Sequence, residues 1–475
     1  MANSSARSVS ASSIAGDIYQ HHSKESPPGL RGRSHTAPKL DLITSEVLLD
    51  YFLSSWDLYE WLFSGIDQTS ALTQNLRPNP FRNNLAFYYG HTAAFYAEKL
   101  RQMGIIDTPI SEWDTRLATG VWPKSAADVE SKQNYPTFHW LKAYRNQVQS
   151  KIIQVIDDYN ITAPIDASHP LWSLVMGIEH ERIHFQTSLS LIRSAPLEVL
   201  TPPASWTASC TSLDHEINRE WMTYAGGQVT YGRKPAESDY YGWDNEFGVV
   251  DTMVKPFRIV PRPITNREYS EFVDSGCYLD RKLWNTPEAE IWHETTRAQY
   301  PASWKVYPGG EIRYREPFRE TAMPWDWPVE VCKHEAAAYA LWAGCRLISE
   351  PEYHYLLHQT FTSSNESRGS IPHLDLNFQR CSPRSVRQST EPEQVDLFGN
   401  VALWSNEAFA PLKQDEFKPH SLYPEFSTPW FRGDHSLLLG AGYCATGHLA
   451  QIGMMRDFMQ NHMDQVAGIT LVQPL

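Results

Sequence analysis

A chain of 475 residues is too long for one ordinary hydrophobic core and predicts two or three domains. Its formal charge of −14 argues against nucleic acid or an anionic membrane as the main partner, and no apolar run approaches the ~18 residues that a spanning helix needs. Cys210, Cys277, Cys332, Cys345, Cys381 and Cys444 are scattered without CxxC spacing, which excludes a zinc ribbon or a disulfide-dense secreted scaffold and predicts reduced thiols in a cytoplasmic protein.

Residues 1–38 are rich in Ser, His, Pro and Gly and are predicted to be a disordered tail. They lack the apolar segment of a secretory signal; Arg7 with few early acids leaves an organelle transit peptide as a lesser reading. Order is expected to begin at Thr44, an N-cap, because Leu48, Phe52, Trp56, Tyr59 and Phe63 then recur at helical spacing. A second helix follows the turn Arg77-Pro78-Asn79-Pro80, runs through Leu85 to Tyr96 and beyond, and is expected to end at Gly104. Tyr88, His91 and Phe95 share one of its faces, so His91 points inward. A lone inward histidine is more often a satisfied core residue than a ligand. Gly90 costs about 1 kcal/mol inside a helix and predicts a close neighbour.

A third helix carries Trp140, Tyr144, Val148, Ile152 and Val155. A fourth, with Pro170 in its first turn, carries Met176, His180, His184, Thr187 and Leu191 as one stripe. The spacing of His180 and His184 stacks two imidazoles one turn apart, where both reach one metal ion. Imidazole suits iron, zinc, copper or nickel, and two imidazoles do not complete a site. The motif alone is weak, because 18 histidines among 475 residues give about 0.7 such pairs by chance. His354 and His358 have the same spacing and are read as structural. Four helices make a bundle, and bundle cores are where facing helices assemble metal sites, so His91 is the third ligand candidate.

Pro202-Pro203 marks a linker, after which helical stripes give way to short segments rich in Gly, Pro, Trp and Tyr. Gly226 to Gly232 reads as a strand, Tyr241 to Glu246 as a tight loop, and Thr265 opens a helix running through Phe272. Trp327-Pro328-Val329 precedes a helix from His334 to Ala343, and Leu397-Phe398-Gly399-Asn400-Val401 leads to Trp404. Periodicity alone describes this half as mixed α and β. Trp327, Trp342 and Trp404 are expected to pack its core.

The ordered set of these segments, with Gly440-Ala441-Gly442 and the terminal Ala467-Gly468, resembles the iron-dependent sulfoxide synthases of thiol-histidine biosynthesis over residues ~40 to 475. Phe87-Tyr88-Tyr89-Gly90-His91-Thr92-Ala93 and Glu179-His180-Glu181-Arg182-Ile183-His184 resemble the ovothiol branch, 5-histidylcysteine sulfoxide synthase, more than the ergothioneine branch. The resemblance implies an α+β multidomain protein. A DinB-like four-helix bundle would cover 40–200, and a formylglycine-generating-enzyme-like, C-type-lectin-like domain would cover 215–475. It further implies that His91, His180 and His184 bind Fe(II). With O2 as co-substrate, cysteine would be joined oxidatively to the imidazole of histidine.

The chain departs from the family pattern in four places. Gln186 stands where the family has an acid and is expected to hydrogen-bond an imidazole from the second shell, with Tyr88 as its companion there. The family tyrosine after Gly-Asn-Val…Trp is replaced around Ala410, leaving Tyr423 as the catalytic candidate. An Arg-Arg-His segment is replaced by Gln460-Asn461-His462. Arg456 and Asp457, just upstream, are the substrate-binding candidates, with a surface ion pair as the plainer reading. His462 is read as structural. The ovothiol enzyme is often fused to a methyltransferase; none is read in this sequence, so N-methylation is expected elsewhere or not at all. The alternatives are an ergothioneine- or selenoneine-type synthase and a catalytically inactive homologue that binds a metal or ligand.

Overall fold

The computed structural model describes residues 35–79, 82–120, 135–206, 219–234, 239–361, 374–387 and 395–475. The helical part consists of α1 (Ser45–Phe63), α2 (Leu85–Gln102), the short α3 (Asp114–Ala118), α4 (Phe138–Asp158) and α5 (Trp172–Arg193). Thr44 caps α1 by accepting from the Val47 N–H, and Asn84 and Thr137 cap α2 and α4 in the same way. Gly104 lies just past the end of α2 at φ +69, the left-handed turn that stops a helix there. Gly90 has the close neighbour its position predicts, since a Cβ there would lie 2.7 Å from a Leu141 methyl on α4. Pro170 lies just outside its helix, which starts at Trp172.

α5 is the axis of the molecule. Every one of its residues except Ile183 is buried. α2 and α1 cover it from within the bundle, and the second half of the chain covers it from the other side.

Among the described residues the second half builds four small sheets. β1 (Met222–Tyr224), β4 (Phe257–Ile259) and β12 (Val472–Pro474) form one, with β4 in the middle and paired antiparallel to both others. β2 (Gly227–Arg233) and β3 (Gly248–Val254) form a hairpin, and β5 (Trp304–Val306), β6 (Ile312–Arg315) and β7 (Glu320–Ala322) form a meander. The largest sheet has the order β10-β9-β8-β11, from β8 (Ala402–Ala408), β9 (His435–Leu439), β10 (Asp457–Gln460) and β11 (Ala467–Gly468). Around the sheets pack α6 (Asn266–Asp274), α7 (Lys333–Trp342) and α8 (Glu350–Phe361), with Thr265 and Glu268 forming a capping box on α6. Trp327 and Trp404 are fully buried, and Trp342 is half-buried against Phe272 and Tyr339.

One apolar cluster runs from Phe52 and Trp56 of the bundle to Trp243, Leu437 and Ala445 of the second half. At the C-terminal end of α5, Arg193 pairs with Glu330 at 2.6 Å, and Arg315 donates to the Arg193 carbonyl at 2.9 Å. Nearer its start, Glu179 accepts from the His448 N–H at 2.9 Å. The expected disordered tail of 1–38 is corrected at its end: residues 1–34 lie outside the described set, but His35 is buried. Its Nδ1 lies 2.8 Å from Ser54 Oγ, and its carbonyl accepts from the Gly447 N–H at 2.6 Å. Polar partners on opposite halves of the protein hold that stretch. Cys277, Cys332, Cys345 and Cys444 are free thiols. No helix among the described residues is long and apolar enough to cross a membrane.

Candidate metal centre

His91 on α2 and His180 and His184 on α5 converge. One ring nitrogen of each lies within 4.8 Å of the others, and all three side chains are buried. Among the described residues no other group of this kind occurs; His354 instead stacks on Tyr231 at 4.4 Å. The His91 and His180 Nε2 atoms are 3.3 Å apart. His91 Nδ1 lies 2.6 Å from the Leu117 carbonyl on α3, which only accepts, so Nδ1 carries the proton and Nε2 turns its lone pair to the cluster. Phe95 stacks on His180 at 3.6 Å and 9°, and Phe87 stacks on His91 at 5.1 Å.

Burial pulls the His91 pKa down to about 4, against the Leu117 hydrogen bond and with help from the charge of Arg82. Burial and the neighbouring histidines push His180 and His184 well below the ordinary imidazole value. All three rings are therefore neutral near pH 7, the form that ligates a metal. Two helices presenting three such donors within one ion's reach fit a divalent transition metal.

The spacing of the ligand helices is held from beneath by Glu181, next to His180. Its carboxylate accepts from Thr92 at 3.0 Å, from Ser55 and Tyr96 at 3.1 Å, and from Arg145 at 3.2 Å. Thr92 adjoins His91, so one carboxylate ties both ligand-bearing helices together. Gly177 lets them meet, since a Cβ there would lie 2.3 Å from the Tyr96 ring.

A family model for the sulfatase-modifying factor enzyme 1-like domain matches residues 211–463, more than half of the chain. The chain belongs to this family. A DinB superfamily model matches residues 51–188, so a DinB helical domain precedes the family's mixed α/β domain. Ergothioneine biosynthesis protein 1 of Schizosaccharomyces pombe is 24% identical over 86% of this chain and 54% of its own length. The hercynine oxygenases of Mycobacterium tuberculosis and Mycolicibacterium smegmatis are 28% and 26% identical, over 56% and 67% of this chain and 63% and 73% of their own lengths. The chain thus spans little more than half of the yeast relative it matches.

Within this family's α/β domain the sequence-predicted residues fall into two groups. Tyr423 lies at the histidine cluster, its ring 6.0 Å from that of His180 and 5.0 Å from that of Phe95. Burial, then Glu425 and Asp244, raise its phenol pKa, which keeps the proton on it at neutral pH. Tyr88 on the bundle side lies 5.9 Å from the His184 ring and accepts from Arg82 Nε at 2.7 Å.

Arg456 corrects an expectation. It is buried, and its guanidinium is filled by protein: Glu350 at 2.6 and 3.1 Å, the Asn245 carbonyl at 2.8 Å and the Ala410 carbonyl at 3.1 Å. The plainer reading, a surface pair with Asp457, fails as well. The two residues enter a strand, where neighbours point to opposite sides. Asp457 faces α5, its Oδ2 3.3 Å from Gln186 Nε2, and burial raises its pKa to about 6. Gln186 likewise departs from expectation: its amide meets Asp457 and the Cys444 thiol, not an imidazole. Two residues past His184 it has turned about 200° around the helix, away from the ring. Asn461 is engaged with Ser436 and the Gly433 carbonyl, and Gln460 pairs with His435 in the β9–β10 ladder. The Leu117 carbonyl and the Glu181–Arg145 pair were not foreseen. Phe95 and Lys99 were within reach of the reading, four and eight residues after His91 on the same face.

Proposed function

We propose that this protein is a mononuclear non-haem iron sulfoxide synthase that uses O2 to join cysteine to the imidazole of histidine. The observation that carries this reading is the convergence of His91, His180 and His184 beside Tyr423, where the bundle meets the second domain. Names of relatives support an oxygenase acting on a histidine-derived substrate. The reaction balances without an outside reductant. The thiol and the imidazole each lose one hydrogen, a C–S bond forms, one oxygen atom ends on sulfur, and the other leaves as water.

Fe(II) held by the three histidines would supply the place where a thiol is deprotonated at neutral pH and O2 is reduced. The chain's own groups do the rest. Phe95 and Phe87 stack on the ligand rings and exclude water from them. The Tyr423 phenol, which keeps its proton at neutral pH and has its ring 6.0 Å from that of His180, would be the proton donor for that chemistry. Tyr88 walls the His184 side. Asp457, bonded to Gln186 on the face of α5 turned away from the ligand rings, lies outside this pocket.

A second reading keeps the chemistry and changes the acceptor to hercynine, and the names of the relatives favour it. The test is mass spectrometry of an aerobic reaction after anaerobic Fe(II) loading, with cysteine and with either histidine or hercynine. A histidine–cysteine sulfoxide adduct is the expected product. The hercynine adduct alone would select the second reading. No product with either acceptor, despite bound iron, would overturn both and leave a metal-binding homologue.

A further inference from the structure

We propose that Lys99 is a positioning residue that clamps the Tyr423 loop of the second domain onto the bundle and so seats the phenol at the histidine cluster. The proposal rests on the reading of Tyr423 given above. His91, Phe95 and Lys99 follow at four-residue steps on α2 and stack on one face. Lys99 is only 5% exposed. Its Nζ donates to the Leu422 carbonyl, across the boundary between the two halves of the chain. The same ammonium lies 4.8 Å from the centre of the Tyr423 ring and 5.1 Å from that of Phe95, the ring stacked on His180.

Desolvating an ammonium is costly, so a buried lysine is kept where its charge has partners. Glu425 and then the adjacent Glu98 favour its charge without a direct bond, Glu98 being held by Arg101 at 2.7 and 3.1 Å. Lys99 instead reaches a carbonyl and two ring faces, with Gln102 Oε1 at 3.4 Å.

The loop needs an outside anchor because it has no strand pairing. From His420 to Phe426 its backbone bonds within the chain are local, the Tyr423 N–H to the His420 carbonyl and the Phe426 N–H to the Tyr423 carbonyl, both at 3.1 Å, and the His420 N–H donates to the Asp244 carboxylate. Downstream it is pinned to its own domain, where Phe426 stacks on Trp243 at 3.9 Å and Ser427 Oγ donates to Asp244 at 2.5 Å. Upstream, Lys99 pins it to the helix that bears His91. His420, stacked on Trp172 at 6.4 Å, holds the start of the loop, and the Lys99 contact at Leu422 is the tie nearest Tyr423, so its loss loosens the seat of the ring against His180.

The test compares Lys99→Met, Lys99→Gln and Lys99→Arg in the full chain, with Tyr423→Phe and the double variants. Three quantities are read: metal per chain, amide hydrogen exchange over residues 420–427, and kcat and KM for the thiol. Met keeps the length and apolar stem, and Gln is the second variant should Met not fold. The expected result for Lys99→Met is unchanged metal content, exchange about tenfold faster over the loop, and kcat about tenfold lower with KM within about twofold. Lys99→Arg, which keeps the cation and a donor, restores most of both. In the Tyr423→Phe background, Lys99→Met then changes kcat by less than about twofold. Unchanged loop exchange, or rate losses that multiply in the double variant, would overturn the proposal. Exchange is read in the metal-loaded protein whether or not a C–S product forms, so failure of the assigned reaction is distinguishable from failure of the clamp.

Discussion

His180 and His184 are neutral because burial removes the water that would stabilise their protonated forms, and because each protonation would face another imidazole a few ångströms away. The same environment makes them ligands. His180→Ala should therefore weaken metal binding by roughly 100-fold or more, while His354→Ala, at a ring stacked on Tyr231, leaves metal content at the wild-type level. Elemental analysis after dialysis reads this directly, and equal metal loss in both variants would remove the site assignment. Asp457 supplies a second prediction. Its folded pKa, about 6, exceeds the usual 3.8, so the folded state holds its proton longer than the unfolded chain. Stability it contributes is present below pH ~4 and is lost as pH rises through 6. Asp457→Asn should match wild type at pH 4 and exceed it by up to about 3 kcal/mol at pH 8 in denaturant titrations.

α5 gathers its ligands, its contact with α2 and its contacts with the second domain into 22 residues. Its spacing from α2 is set where Gly177 faces Tyr96, whose hydroxyl is itself committed to Glu181 at 3.1 Å. Gly177→Ala gains helix propensity of about 1 kcal/mol yet drives a methyl into a ring that cannot step aside, so the clash decides the sign. The expected outcome is a net loss of about 1–3 kcal/mol in thermal or denaturant unfolding, together with weaker metal binding. An unchanged or raised stability would mean that α2 moves freely and that the ligand spacing is not set there. Gly90 is the milder case on the neighbouring helix, because the atom it would meet is the tip of a Leu141 side chain.

Across the whole molecule the two halves share core and buried charge. Arg193 and Glu330 pair at 2.6 Å with both side chains nearly fully buried. Removing Arg193 leaves the Glu330 charge buried without a cation, with the Tyr314 hydroxyl still donating to it. Arg193→Met should cost about 3–5 kcal/mol and split one cooperative unfolding transition into two, read by calorimetry with fluorescence. A single unshifted transition would show that the halves do not depend on this contact. The segment 35–41 adds a second tie, since His35 meets Ser54 of the bundle and Gly447 of the second domain.

Much of this protein was legible without coordinates. Helical spacing and capping residues marked α1, α2, α4 and α5, because local periodicity and hydrogen-bond capping act within a few residues. The i,i+4 histidines and the inward His91 pointed to one metal site for the same reason. The resemblance of ordered short motifs supplied the second domain, which periodicity alone left as mixed α and β. What a side chain facing a distant element would meet was not legible. Arg456 meeting Glu350, Gln186 meeting Asp457 rather than an imidazole, and Lys99 reaching Leu422 all depend on contacts between residues more than 100 apart in the chain. Tertiary packing alone decides these, because burial makes each polar group find a partner and only the assembled fold determines which partner is within reach.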